Sequence, residues 1–169
     1  MEKVKYNSQK ATFSRCRNYR YCLSRSWDKG SGSVLFIGLN PSTANHYQDD
    51  PTIRRCVGFA RNWGFSAMEI VNLFAFRSPY PKDLYQQGDP IGPANNRWIS
   101  SAIKRNDMTL ACWGNNGDFL DRANFILSRY PGLNALKLTA SKQPTHPLYM
   151  KADTLAKPIS ILKSKQNAP

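Results

Sequence analysis

Short apolar runs recur along the chain between polar segments, and they predict four β-strands. The runs are rich in Val, Ile, Leu and Phe without strict alternation, a pattern typical of strands covered on both faces. They lie at residues 33–39 (SVLFIGL), 68–74 (MEIVNLF), 108–114 (MTLACWG) and 133–139 (LNALKLT).

Three segments between these strands have apolar residues at near-helical spacing, at residues 51–64, 92–105 and 117–132. The second and third carry Pro93 and Asp118 near their starts, where these residue types favour a helix. Strands that alternate with helices predict an α/β fold with a mainly parallel sheet and helices on both sides. Ligands bind such sheets beyond the carboxyl ends of the strands, so we expect the chemistry in the loops that follow them.

The length of 169 residues fits one domain with a single hydrophobic core. We therefore expect one domain over residues 1–169, acting as a monomer. Residues 1–12 and 163–169 are polar enough that we expect both termini to fray.

The chain is strongly basic, with 24 Lys+Arg against 11 Asp+Glu and a formal net charge of +13. Such an excess favours a nucleic-acid partner, with DNA expected before RNA. Residues 13–27 interleave arginines with tyrosines and a tryptophan, and such a mixture can contact phosphates and stack on bases. An equal alternative is that residues 13–27 form a hairpin at the edge of the sheet, whose arginines are merely solvated. The arginines expected to contact nucleic acid are Arg15, Arg17, Arg20, Arg25 and Arg77.

Several functional classes find no support in the sequence. No apolar stretch is long enough for a bilayer span, and the N-terminus lacks the apolar core of a signal peptide, so we expect a cytoplasmic protein without a membrane partner. Cys16, Cys22, Cys56 and Cys112 form no CxxC pair, and we expect neither a metal nor a cofactor, with an iron–sulfur cluster as a minor alternative. The chain also contains no GxGxxG, P-loop or nucleophile-elbow motif.

Four motifs occur in order along the predicted strands: GLNPS after the first, VNLF at the second, LACWGNNGDFLDRA at the third and THPLY after the fourth. Together they resemble the ordered landmarks of the uracil-DNA glycosylase superfamily. The chain also resembles, over nearly its whole length, a family of uncharacterised bacterial and phage proteins marked by GLNPSTA, DDPT, NLFA and HPLY. The resemblance implies a three-layer α/β/α sandwich around a central four-stranded, mainly parallel sheet. It also implies hydrolysis of the N-glycosidic bond of a base that has been flipped into a pocket.

The resemblance assigns roles to the polar residues of these motifs. Asn40 would orient the attacking water, His146 would stabilise the departing base, and Asn72 would recognise the base edge. Asp50 could supply a catalytic carboxylate, as could Asp49, although an acid before Pro51 also suits the start of a helix. Asn72 could equally be a buried asparagine that satisfies the backbone at a strand end.

Other residues of the same loops are expected to line the substrate pocket: Gly38, Leu39, Pro41, Ser42, Phe74, Asn115, Pro147, Leu148 and Tyr149. Two departures from the superfamily pattern, Ser42-Thr43-Ala44 in the first loop and Leu148 after Pro147, favour an unusual, damaged or modified base over uracil. Two alternatives stay open. One is a non-catalytic nucleic-acid-binding module on the same fold. The other is an enzyme acting on the glycosidic bond of free modified nucleotides.

Overall fold

The computed structural model describes residues 3–167, which form a mixed α/β fold around one seven-stranded sheet. The strands run in the spatial order β1-β2-β4-β3-β5-β6-β7. Their bounds are β1 Ser8–Phe13, β2 Arg20–Ser26, β3 Ser33–Gly38, β4 Ala67–Asn72, β5 Met108–Ala111, β6 Asn134–Ala135 and β7 Lys157–Pro158.

Four α-helices and three 3₁₀ helices connect or follow the strands. The α-helices are α1 Pro51–Asn62, α2 Asn95–Arg105, α3 Arg122–Arg129 and α4 Ile159–Gln166. The 3₁₀ helices are Pro81–Gln86, Asn115–Asp121 and Pro147–Tyr149. Within residues 3–167, no helix combines the length and the apolar character needed to cross a membrane.

The middle of the sheet is parallel and its margins are antiparallel. β3 pairs in parallel with β4 and with β5, and β5 pairs in parallel with β6. β1 with β2, β2 with β4, and β6 with β7 are antiparallel pairs. The α/β prediction is therefore confirmed, whereas the expected sheet of four strands is smaller than the observed mixed sheet. The carboxyl ends of β3, β4 and β5 meet at one side, which we call the carboxyl edge.

β3 is buried on both faces, which explains its unbroken apolar sequence. Val34 and Phe36 belong to one core cluster, which also contains α1 residues such as Ile53. Leu35 and Ile37 belong to a second cluster, with residues from α2 and α3. Because side chains alternate along a strand, neighbouring residues of β3 pack against different helices.

Parts of the segments expected to fray, residues 1–12 and 163–169, form regular structure, whereas residues 1–2 and 168–169 lie outside the described residues. Residues 8–12 lie in β1 and pair along β2 from Ser8 opposite Ser26 to Thr12 opposite Cys22. Residues 163–166 lie in α4. The side chains of β1 are mostly polar, and its backbone pairs with β2 on one side. β1 and β2 form an antiparallel hairpin at the edge of the sheet, as the alternative for residues 13–27 expected, although Arg20 and Arg25 of this hairpin are buried and not solvated.

Candidate active site

The loop after β3 begins at the carboxyl edge and stays paired with the segment after β4. The Leu73 amide donates to the Gly38 carbonyl, and the Ser78 amide donates to the Pro41 carbonyl, each at 2.9 Å. The Asn40 side chain strengthens this pairing, because its Nδ2 donates to the Ser78 carbonyl at 2.9 Å and to the Pro41 carbonyl at 3.2 Å. With Nδ2 held by backbone, Asn40 has Oδ1 left as an acceptor.

Asn72 ends β4 directly opposite Gly38 of β3. Its side chain is buried, and its Oδ1 lies only 2.7 Å from where a Cβ at position 38 would stand. Only glycine at position 38 leaves room for the amide of Asn72. The Asn72 Nδ2 is sealed from solvent and has no hydrogen-bond partner within residues 3–167. A buried donor without a partner costs about 1–3 kcal/mol and marks a position that needs an explanation.

Two buried side chains that the sequence analysis missed fix the backbone at the end of β4. Asn95, at the start of α2, donates from Nδ2 to the Asn72 and Leu73 carbonyls at 2.9 and 3.1 Å. Arg122, at the start of α3, donates from Nε to the Leu73 carbonyl at 3.0 Å. The position of Asn95 just after Pro93 is a weak signal of a helix start, but no local pattern indicates the long-range partner of either side chain.

Asp50 caps α1 and is almost completely buried. Its Oδ1 accepts a hydrogen bond from the Ile53 amide at 2.9 Å, so the interpretation of this acid as the start of a helix is confirmed. No hydrogen bond from residues 3–167 reaches its Oδ2. Asp49 has a different role, because its carboxylate is held by Arg25 Nε at 2.9 Å and by the Tyr6 hydroxyl at 2.6 Å.

His146 begins the short 3₁₀ helix Pro147–Tyr149 and caps it. Its Nδ1 accepts a hydrogen bond from the Leu148 amide at 3.3 Å, which places the proton of the neutral ring on Nε2. Burial lowers the pKa of His146 below its ordinary value, and the nearby Asp50 carboxylate partly opposes that shift. The imidazole is therefore neutral at pH 7 and keeps one N–H donor for a ligand.

The segment around His146 is attached to α1 by an arginine that the sequence analysis also missed. Arg55 donates from Nε to the Pro147 carbonyl at 3.4 Å and from Nη2 to the Met150 carbonyl. Arg55 lies in the second turn of α1, close to the cap at Asp50. This attachment brings His146 to the carboxyl edge.

Two of the five arginines expected to contact nucleic acid are buried, and those two predictions are wrong. Arg20 is 2% exposed and donates from Nη1 to the Ala44 carbonyl at 2.9 Å. Burial lowers the pKa of Arg20 to about 10, and Asp50 opposes the shift. Arg25 is 1% exposed, and besides its ion pair with Asp49 it donates to the Asn45 carbonyl at 2.6 Å. Both side chains stabilise the loop between β3 and α1.

The other three arginines keep surfaces available to a partner. Arg15 and Arg17 are exposed, and Arg77 is half-buried. The Arg17 and Arg77 guanidinium groups lie 4.3 and 4.6 Å from the centroid of the Phe13 ring. Phe13 in turn contacts His46 in the loop after β3, with ring centroids 5.8 Å apart. This cation–aromatic group lies beside the carboxyl edge.

Phe74 does not offer a face to a base, because its side chain is completely buried. It packs in the core against Phe119, with ring centroids 5.4 Å apart. The prediction that Phe74 binds substrate is therefore wrong. Its apolar ring gains more from burial in the core than from exposure at a surface.

The remaining predicted pocket residues vary in exposure. Pro41 and Pro147 are buried, Leu39 and Ser42 are half-buried, and Leu148 is exposed. Asn115 is exposed, and its Oδ1 accepts a hydrogen bond from the Thr139 hydroxyl at 2.6 Å. Tyr149 is 82% exposed beside His146, with ring centroids 5.8 Å apart. All seven lie in loops that follow β3, β5 and β6.

A separate open groove of about 350 Å³ lies between α2 and α3. Its lining includes Arg97, Arg129, Phe125 and Tyr130, and none of the predicted site residues. The chemistry-bearing side chains lie instead on the carboxyl edge, and we place the candidate site there.

Comparison with known families identifies the chain at the level of a family. The family model described as "Protein of unknown function (DUF1643)" matches residues 20–148, which is more than half of the chain. The chain belongs to this family. The DUF1643 match extends from Arg20 to Leu148, so it includes Asn40, Asp50, Asn72 and His146. No match is found among curated proteins, nor among solved structures.

Proposed function

We propose that this protein is a base glycosylase of the uracil-DNA glycosylase type, which hydrolyses the N-glycosidic bond of an unusual, damaged or modified base in nucleic acid. In this proposal β4, β3, β5 and β6 form the four-stranded parallel centre of a three-layer sandwich. One observation carries the proposal: the carboxyl edge presents an oriented amide (Asn40), a carboxylate (Asp50) and a neutral imidazole (His146).

On the sugar side of the bond, the reaction needs a positioned water. Asn40 Oδ1 suits this task, because the Nδ2 of the same amide is fixed by the Ser78 and Pro41 carbonyls. A water that donates one hydrogen bond to Oδ1 is thereby aimed without needing a charged partner. Asp50 Oδ2 receives no hydrogen bond from residues 3–167, and in this proposal it takes the proton that the water loses.

On the base side, negative charge develops as the bond breaks, and a fixed donor stabilises it. His146 supplies the Nε2–H, and the Leu148 amide fixes the ring by donating to Nδ1. The unpartnered Nδ2 of Asn72 is a second donor, and it would gain the hydrogen bond it lacks when a base carbonyl reaches it. His146 thus supports departure of the base, and Asn72 supports its recognition.

The step balances as a hydrolysis. The C1′–N bond breaks, and its electron pair leaves with the base nitrogen. The water oxygen bonds to C1′, one water proton passes to Asp50, and the base anion is stabilised by His146 until it is protonated. No redox partner enters the step.

The experiment is incubation of the protein with oligonucleotides that carry deaminated, oxidised or hypermodified bases, followed by alkali or heat to cleave abasic sites. We expect one class of base to be released from DNA. A protein that binds these strands but releases no base would be the binding module. Release from free modified nucleotides alone would assign the third alternative.

A further inference from the structure

Exposed tyrosines are concentrated in the loops at the carboxyl edge. Tyr47 follows β3 and is 90% exposed, Tyr80 and Tyr85 follow β4 and are 61% and 54% exposed, and Tyr149 follows β6 and is 82% exposed. Within residues 3–167, Phe125 on α3 is the one other strongly exposed aromatic side chain. A single exposed aromatic needs no explanation, but four at one edge indicate an interaction surface.

Three of these tyrosines pack on other aromatic rings, and one of the three contacts a residue of the candidate site. Tyr149 contacts His146, with ring centroids 5.8 Å apart. Tyr47 contacts His46 at 5.9 Å, and His46 contacts Phe13. Tyr85 packs edge-on against Phe119 of the loop after β5, with centroids 4.5 Å apart. These three exposed rings are therefore supported by neighbouring aromatic side chains.

Positive charge lies on the same edge as these rings. Lys82 Nζ lies 5.9 Å from the centroid of Tyr80, and Arg17 and Arg77 lie against Phe13, which contacts His46 beside Tyr47. A surface that combines cations with exposed rings matches a polymer that alternates phosphates with bases whose faces are free. In a duplex the base faces are covered by stacking, so a row of exposed tyrosines could contact only groove edges and phosphates.

We infer that this edge binds single-stranded nucleic acid, with Tyr47, Tyr80, Tyr85 and Tyr149 as stacking platforms for bases that flank the target. The inference deepens the proposed function, on which it rests for the identity of the pocket. It predicts that the target base is presented from an unpaired strand, so no base pair has to be broken before cleavage.

The test measures affinity for a labelled single strand of about 16 nucleotides, a length within known site sizes, and for its blunt duplex, by fluorescence anisotropy at one fixed salt concentration. We expect the duplex to bind at least tenfold more weakly. Tyr47→Ala and Tyr149→Ala should each weaken single-strand binding by roughly five- to hundredfold, because each removes one base stack.

The controls separate ring stacking from folding and from loss of charge. Tyr47→Phe and Tyr149→Phe keep the ring and should bind within about twofold of the wild type, since stacking needs only the aromatic face. Phe125→Ala removes the exposed ring outside this edge and should leave affinity unchanged. Thermal unfolding of each variant should match the wild type, because the altered side chains are exposed.

Duplex binding as tight as single-strand binding would overturn the inference, as would unaltered single-strand affinity in both alanine variants. If the alanine variants lose equal affinity for duplex and for single strand, the tyrosines insert into paired DNA, and that result also contradicts the inference. Base release measured on the same preparations keeps the two proposals apart. Tyrosine-dependent binding without base release rejects the glycosylase and retains the surface.

Discussion

The Asp50 carboxylate opposes the effect of burial on the His146 imidazole, although the two residues are far apart in sequence. Asp50 lies at the first turn of α1, and His146 lies at the start of the 3₁₀ helix that Arg55 fastens to α1. The proposed proton acceptor and the proposed donor to the base are thus electrostatically linked. This link yields predictions that do not depend on knowing the substrate.

Asp50→Asn should lower the pKa of His146 further. Asparagine keeps the N-cap hydrogen bond to Ile53 but removes the negative charge that favours the imidazolium. The measurement is an NMR titration of the imidazole protons, with His46→Gln used to assign the two histidines. An unchanged or higher pKa of His146 in Asp50→Asn would mean that the two groups do not interact.

The stability of the protein should fall as the pH drops below the ordinary histidine value of 6.5. Because the pKa of His146 is lower in the folded protein, the unfolded chain takes up a proton first as the pH falls. The stability that neutral His146 contributes is therefore complete above pH 6.5 and is lost as the pH falls toward the pKa of the folded protein. His146→Asn retains a capping side chain without this titration. Urea unfolding at several pH values should show that the free energy of unfolding decreases less with falling pH for His146→Asn than for the wild type. Parallel plots of unfolding free energy against pH would contradict the role assigned to His146.

Gly38→Ala should destabilise the protein by about 1–3 kcal/mol, because the new methyl group meets the Asn72 Oδ1 at 2.7 Å. The matched control is Gly58→Ala in α1, where a Cβ has no neighbour within 4 Å. That change should stabilise by about 0.5–1 kcal/mol through helix propensity. Denaturant unfolding measures the change in unfolding free energy of both variants. Similar effects at the two positions would show that Asn72 is not held against Gly38.

The arginines should divide into structural and binding residues. Arg25→Met should cost about 3–5 kcal/mol in unfolding free energy, because it leaves the Asp49 carboxylate without its buried partner. Arg17→Ala should instead leave stability within about 0.5 kcal/mol, weaken nucleic-acid binding and reduce the salt dependence of log K by about one. Arg97→Ala, in the groove between α2 and α3, serves as the exposed control for binding. Salt-independent association of the wild type would exclude a nucleic-acid partner.

The hydrophobic pattern was sufficient to predict the central strands and the helices α1, α2 and α3, but not α4. β3 is a continuous apolar run because both of its faces are covered, and α1, α2 and α3 show helical spacing because each buries one face. β1 was not predicted because its Gln9 and Lys10 are exposed polar residues and its order comes from backbone pairing with β2. Backbone pairing leaves little trace in the residue types.

The candidate site could be predicted only in part. Asn40, Asn72 and His146 were singled out because Asn72 lies near the end of a predicted strand and the other two follow one, and parallel strands share an edge. Arg20 and Arg25 were misassigned because arginine is mostly exposed, and their burial depends on carbonyls of a loop some twenty residues later. Arg55 and Arg122 likewise bind distant backbone carbonyls, which local sequence does not encode.

The central claim is tested most directly by a single-turnover assay of base release. The substrate is the oligonucleotide from which the wild type releases a base, and the assay compares the wild type with Asn40→Ala and His146→Ala. The account predicts release by the wild type and a loss of roughly a hundredfold or more in each variant, with substrate affinity within a few fold, because both interactions strengthen in the transition state. Thermal unfolding must accompany the assay, since Asn40 also anchors the Ser78 backbone. Absence of base release from every substrate, or near-normal rates in folded variants, would contradict the account.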